Sequence, residues 1–116
     1  MRAYIPIGWT DLATFDADGR LGGPQRACVV DPQWRAGSPD VDEEEWEFEA
    51  QLAAAEALLD LDGGVVLAVD VDEPDADPQD GWVTLTGPVS RRDAAAVLTA
   101  DLAWFGIQEI PGLLPG

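Results

Sequence analysis

Residues 40–60 contain no Gly or Pro, and their apolar positions return at the three- and four-residue spacing of a helix. Stepped at about 100° per residue, Val41, Phe48, Leu52, Ala55 and Leu59 fall on one stripe, which we assign to the core. Trp46, Ala50, Ala53 and Ala57 fall on the opposite side, with Glu45, Glu49 and Glu56 along one flank and Glu43 and Glu47 toward the other. Asp40 and Glu43 have the spacing of a capping box, and the acids at 42–45 suit the positive end of a helix dipole. Two apolar faces leave two readings. Either the helix is sandwiched inside the domain, or the alanine strip meets something outside it, small side chains permitting close approach. Alanine used for helix propensity alone is the plainer account of the strip, and Trp46, a residue type that anchors interfaces, keeps the second reading open.

Period-two patterns mark the strands. Residues 2–7 alternate Ala3, Ile5 and Ile7 against Tyr4, and Pro6, which cannot donate to a ladder, signals an edge there or the end of the strand. Residues 25–30 read as a second short strand. Residues 65–71 are nearly continuous in apolar side chains and predict a central strand covered on both faces. Residues 82–89 alternate Val83 and Leu85 against Trp82, Thr84 and Thr86, and are expected to pair with 65–71 as a long-looped hairpin. A last strand is expected at 104–110, stopped by Pro111-Gly112.

One or two shorter helices and a helical turn fit between these strands. Thr10 offers an N-cap to a helix over 11–16 with Leu12 and Phe15 inward. Asp31 and Pro32 open a single turn, and Ser90 with Asp93 opens a helix running to Asp101, with Ala94, Val97, Leu98 and Leu102 as its buried side. Strand, helix and strand in the last third imply a right-handed crossover. The fold class is α+β: two layers, a mixed sheet of about five strands with the long helix and the Ser90 helix on one face. With no linker long enough to divide it, the chain is a single domain spanning 1–116.

Composition then narrows the chemistry. The chain holds 23 acids against 6 bases, for a formal net charge of −17, and no His. Every base is Arg, and Lys and Asn are absent. Such a charge opposes direct binding to a nucleic-acid backbone or an anionic membrane leaflet, because both need Lys or Arg to neutralise phosphate. It favours a basic partner, a cation, or simply a well-solvated surface, which GC-rich codon usage and salt adaptation also produce. Cys28 is the one cysteine, in the apolar run Ala27-Cys28-Val29-Val30, and reads as a buried, inert thiol. The N-terminal apolar run is too short and is broken by Pro6, so no signal peptide is expected, and a cytoplasmic protein follows.

Three segments, RAYIP, WRAGSPDVDEEEWEFEAQLAAA and LAWFGIQEIPGLL, together resemble a family of small, acidic, uncharacterised actinobacterial proteins. Its members start on an Arg-aromatic-aliphatic-Pro strand, carry an acidic stretch leading into an Ala-rich helix, and close on an aromatic pair before Gln-Glu-Ile. The chain departs near position 34, where the family often has Trp-Tyr and here stands Trp34-Arg35. The resemblance implies a bacterial cytoplasmic origin and brings no activity or functional residues with it.

No motif in the chain amounts to an active site. Asp70, Asp72, Glu73, Asp75, Asp77 and Asp80 cluster as a cation loop would, but neither register of the calcium-loop pattern fits: from Asp70 its fifth position is Pro74, and from Asp75 its twelfth is Thr86. The glycines at 19, 22 and 23 lead into Pro24 and a strand, with no Lys and no helix to cradle a phosphate. Ser38 and Ser90 read as loop and cap residues, and Arg91-Arg92 as surface partners of the acidic helix. No catalytic, cofactor or metal residues are therefore assigned. The expected function is that of a non-enzymatic acidic protein engaging a protein partner, itself or a basic, nucleic-acid-handling protein, through Trp46, Ala50, Ala53, Ala57, Glu45 and Glu49. The alternative is a small carboxylate-based or divalent-cation-dependent enzyme using the acidic loop 70–80.

Overall fold

The computed structural model describes residues 1–72 and 77–115. Strand β1 (Arg2–Ile7) leads into helix α1 (Trp9–Asp18), the short strand β2 (Arg20–Leu21), strand β3 (Gln25–Cys28) and helix α2 (Pro32–Gly37). The long helix α3 (Glu43–Ala57) continues as a 3-10 turn over Leu58–Leu61. Strands β4 (Val65–Asp70), β5 (Trp82–Leu85), β6 (Val89–Ser90), β7 (Ala94–Leu98) and β8 (Trp104–Phe105) follow, then helix α4 (Ile110–Leu113). The class is α+β, as the patterning predicts. The sheet is larger: six strands in the order β5-β3-β1-β4-β7-β8, beside a two-stranded ribbon of β2 and β6.

Among the described residues every strand pair is antiparallel, so the mixed sheet and the crossover of the sequence reading are corrected. Both errors trace to the segment after Ser90. Ser90 and Asp93 do form a cap, the Ser90 N–H and hydroxyl both donating to Asp93 Oδ2 at 3.0 and 2.9 Å, but over a single 3-10 turn, and Ala94–Leu98 then extends along β4 instead of continuing as a helix. Alanine's helix propensity is worth a few tenths of a kcal/mol per residue, and a central strand offering a free edge outweighs it. One extra residue, Ala95, bulges from the ladder between the Ala68–Ala96 and Val69–Ala94 pairs. The expected hairpin is likewise replaced, because β5 pairs with β3 on the far side of the sheet. The last expected strand stops at Phe105, and Pro111 sits in the first turn of α4, where a missing N–H costs nothing.

The expected central strand is central. β4 runs between β1 and β7, with Val65, Leu67 and Val69 facing one core and Val66 and Ala68 the other. The same alternation splits β1, where Ala3, Ile5 and Ile7 join Leu12 and Phe15 of α1 and Ile110 of α4, and Tyr4 joins α3. Helices therefore cover both faces, and the architecture has three layers instead of two: α1, α4 and the β2–β6 ribbon, then the sheet, then α2 and α3. Pro6 pairs with Val66 of β4, while the β1–β3 ladder registers only at Tyr4–Cys28, so its missing donor falls where that ladder has run out. Helix α1 starts two residues earlier than expected, with Gly8 rather than Thr10 as its N-cap and the Leu12 N–H donating to the Gly8 carbonyl at 3.0 Å.

The rotation of α3 overturns the assignment of its faces. Its buried residues are Ala50, Ala54 and Ala55, with Leu58 beyond its end, whereas Phe48 and Leu52 of the supposed core stripe are 49% and 36% exposed and Leu59 is 85% exposed. The inward side is the flank that the sequence reading gave to polar residues, and Tyr4 is the reason. Its buried hydroxyl donates to Glu47 Oε2 at 2.6 Å and accepts from Gln51 Nε2 at 3.2 Å, so two polar side chains of α3 are satisfied against the sheet. Alanines at 50 and 54 then let the helix approach Val66 and Ala68 closely. Asp42 is the N-cap residue in place of Asp40, and Glu43 pairs with Arg35 instead of closing a capping box. Gly64 returns the chain to β4 at φ 144°, where any Cβ would run into the Ile7 carbonyl oxygen.

A groove of three tryptophans

The candidate site lies where α2, α3 and the turn before β5 meet, and its construction begins with Asp31. This carboxylate is 2% exposed. It caps α2 by accepting from the Gln33 N–H at 2.9 Å, and its second oxygen accepts from the Gly81 N–H at 3.0 Å. The Gly81 carbonyl in turn accepts from the Val29 N–H at 2.7 Å. Asp80 and Gly81, at φ 51° and 86°, form a two-residue hairpin loop closed by paired hydrogen bonds between Gln79 and Trp82. Asp31 thus ties the start of α2 to this hairpin.

The tie sets the tryptophans. Trp34 lies against Gly81 so closely that a Cβ there would stand 2.6 Å from its ring, and its indole N–H donates to Asp80 Oδ1 at 3.2 Å. Trp46 of α3 packs on Trp34, with ring centroids 6.0 Å apart and planes tilted by 32°. Trp82 closes the third side. Together with Glu49, Ala53, Glu56 and Asp80 the three rings line an open groove of about 460 Å³. Its walls carry three carboxylates and no base. Arg26, which lines a neighbouring cleft and not this one, sits 4.7 Å from the Trp82 ring, so one tryptophan of the groove already serves as a platform for a guanidinium.

Of the residues singled out from sequence, the structure brings Trp46, Glu49 and Ala53 together here. Ala50 lies beneath them in the core at 0% exposure and offers no surface, Ala57 is half-buried outside the groove, and Glu45 is exposed on the outer side of α3. Trp34, Trp82 and Asp80 were missed as a group. The signal for Asp80 was present, since Asp-Gly between strand-like segments is a strong two-residue hairpin signature. Nothing local in the sequence tells that Trp34 packs on that hairpin.

The other candidates resolve into structure. Burial pushes the Cys28 thiol up to about 12, as expected of an inert core cysteine. Burial, and next the carboxylate of Glu47, likewise raise the phenol of Tyr4 above its ordinary range. In the acidic loop, Arg2 grips Asp70 with two hydrogen bonds, at 2.7 and 3.2 Å, and holds its carboxyl below the usual value. Glu73 and Asp75 of that loop lie outside the described residues, and among the described residues no three acids converge as metal ligands would. A larger cleft of about 920 Å³ is bounded by Asp72 and Asp77, on either side of residues 73–76. Arg91 reaches the end of α1 and not the acidic helix, its guanidinium donating to the Asp16 carbonyl at 2.7 Å, where a helix C-terminus favours a cation. Among the described residues no helix is long and apolar enough to cross a membrane.

No curated protein and no solved structure matches the chain. A family match covers residues 1–101, taking in the first strand, the acidic helix and the whole groove and stopping short of the aromatic pair at 104–105. The chain belongs to that family, a family of unknown function (DUF6912).

Proposed function

We propose that this is a non-enzymatic, cytoplasmic interaction protein that docks a basic protein partner on the outer side of α3. The observation that carries the reading is the exposed apolar stripe of Phe48, Leu52 and Leu59, with Leu61 beyond it, bordered by carboxylates. Helix α3 holds six glutamates and no base. Glu43 is taken by Arg35 and Glu47 by Tyr4, and among the described residues no base lies within salt-bridge distance of Glu44, Glu45, Glu49 or Glu56. Large apolar side chains ringed by unneutralised charge suit a partner with an apolar centre and a basic rim. A second copy fits less well, because two chains of net charge −17 repel at close range. A basic partner gains both contact area and a faster, charge-steered encounter. The same charge keeps the chain off nucleic acid itself, so a nucleic-acid-handling partner would be met on its phosphate-binding surface.

Capture from a native lysate on the tagged full chain tests this. We expect a monomer by light scattering, and a basic protein retained at low salt, released at about 1 M salt where screening shortens to about 3 Å, and lost with Phe48→Ser/Leu52→Ser. A dimer dissociated by that same variant would replace the basic partner with a second copy. Capture insensitive to both salt and the variant would end the reading.

A further inference from the structure

We infer that the groove between Trp34, Trp46 and Trp82 is a binding site for the cationic side chain of a basic peptide segment, a lysine or arginine presented by the partner. This rests on the interaction reading above and adds a specific pocket to it. Three observations converge. The walls are aromatic faces and edges, whose quadrupoles attract a cation within about 6 Å of a ring centroid. The rim carries Glu49, Glu56 and Asp80 and no base, so the groove's own lining is charged with one sign only. Trp82 already holds Arg26 at 4.7 Å on the side of the neighbouring cleft, which places a guanidinium on one of the rings concerned.

Geometry narrows the pose. Trp34 and Trp46 are only 6.0 Å apart at a 32° tilt, so they pack on each other and admit nothing between them. A cation therefore rests against the groove side of the pair, opposite Trp82, with Glu49 and Glu56 reaching it from positions two turns apart on one face of α3. Ala53 lies between those turns, and its small side chain keeps the groove open. A volume of about 460 Å³ suits one long side chain and a few backbone atoms, not a folded surface. The wall is rigid because Asp31 and Asp80 fix Trp34 through the hairpin at Gly81. A lysine loses this interaction on acetylation, which removes its charge.

The test uses the full chain, ¹⁵N-labelled, titrated with a glycine-flanked peptide carrying one central lysine and with the same peptide acetylated on that lysine. The five tryptophans supply their own controls. The indole signals of Trp34, Trp46 and Trp82 should shift saturably with the lysine peptide, those of Trp9 and Trp104 should not, and the acetylated peptide should move none of them. Trp46→Leu should weaken binding roughly five- to tenfold, the change that about 1 kcal/mol of cation–π contact carries. Glu49→Gln/Glu56→Gln, which leaves packing untouched, should also weaken it and flatten its salt dependence. Phe48→Ser/Leu52→Ser should leave the peptide response intact. Equal shifts with both peptides, or unchanged affinity in the Trp46 and Glu49/Glu56 variants, overturn the groove assignment. If salt-released partner capture persists in that case, only the groove is withdrawn. A lysine response without any captured partner leaves the groove standing and removes the interaction reading.

Discussion

Replacing Tyr4 by Phe isolates the contact that sets the rotation of α3. The ring is 2% exposed and stays in place, so the substitution removes one hydroxyl and nothing else. That hydroxyl donates to Glu47 at 2.6 Å and accepts from Gln51 at 3.2 Å. A hydrogen bond to a charged acceptor contributes about 1.5–3 kcal/mol, and a neutral one about 1. Glu47 is half-exposed, so water recovers part of the loss. We therefore expect Tyr4→Phe to cost about 1–2 kcal/mol, measured as a fall in the urea midpoint with an unchanged slope. A double-mutant cycle with Glu47→Ala separates the pair from its surroundings: its coupling energy should be about 1 kcal/mol. Tyr4→Phe within about 0.3 kcal/mol of the parent, or a cycle that closes without coupling, would refute the view that this hydroxyl orients the helix.

Three further outcomes follow from the packing and the hydrogen bonds. Ala54→Leu should destabilise the chain by about 1–3 kcal/mol through overpacking, whereas Phe48→Ser on the outer stripe should change stability by less than about 0.5 kcal/mol; parity between them in urea melts would return the helix to its sequence-based rotation. Asp31→Ala should cost about 2–4 kcal/mol, losing a cap and leaving the Gly81 N–H unsatisfied, and Trp34 fluorescence should shift toward that of an exposed indole. Alkali should unfold the protein early. The Cys28 thiol, ordinarily near 9.0, is pushed up to about 12, and the Tyr4 phenol is raised from 10.0, so each keeps its proton in the folded chain after the unfolded chain has lost it. Stability from both groups is complete below about pH 9 and is lost as pH rises from there toward the folded values; Cys28→Ala should remove the first part of that fall, and a urea midpoint flat to about pH 11 would contradict it.

The legible parts of the fold were those in which one strand's own pattern decides its place. The alternation of Ala3, Ile5 and Ile7 against Tyr4, and the unbroken run at 65–69, report two cores directly. Asp31-Pro32 announced its turn because a cap is a local contact. What could not be read depended on a partner distant in sequence. Ala94–Leu98 is a strand because β4 lies beside it, and β5 pairs with β3 across 53 or more intervening residues rather than with its neighbour in the chain. The faces of α3 were misassigned because Glu47 and Gln51 look like solvent residues until a buried phenol is placed opposite them. Half of the groove was legible for a related reason: Trp46, Glu49 and Ala53 share a helix, while Trp34 and Trp82 arrive from elsewhere.

β1, which precedes the other described strands in the chain, occupies the interior of the sheet, bonded to β3 on one side and along all six residues to β4 on the other. During synthesis it has no complete partner until residue 70 has emerged, and β4 has none on its far edge until residue 98 has. The sheet therefore closes late and through long chain loops, the kind of topology that folds slowly for its size. Helix α3, rich in alanine and complete by residue 57, is available well before that. Until the sheet forms, the newborn chain can hold its most acidic segment as a helix while its most β-prone one waits unpaired, and its high negative charge keeps such chains apart.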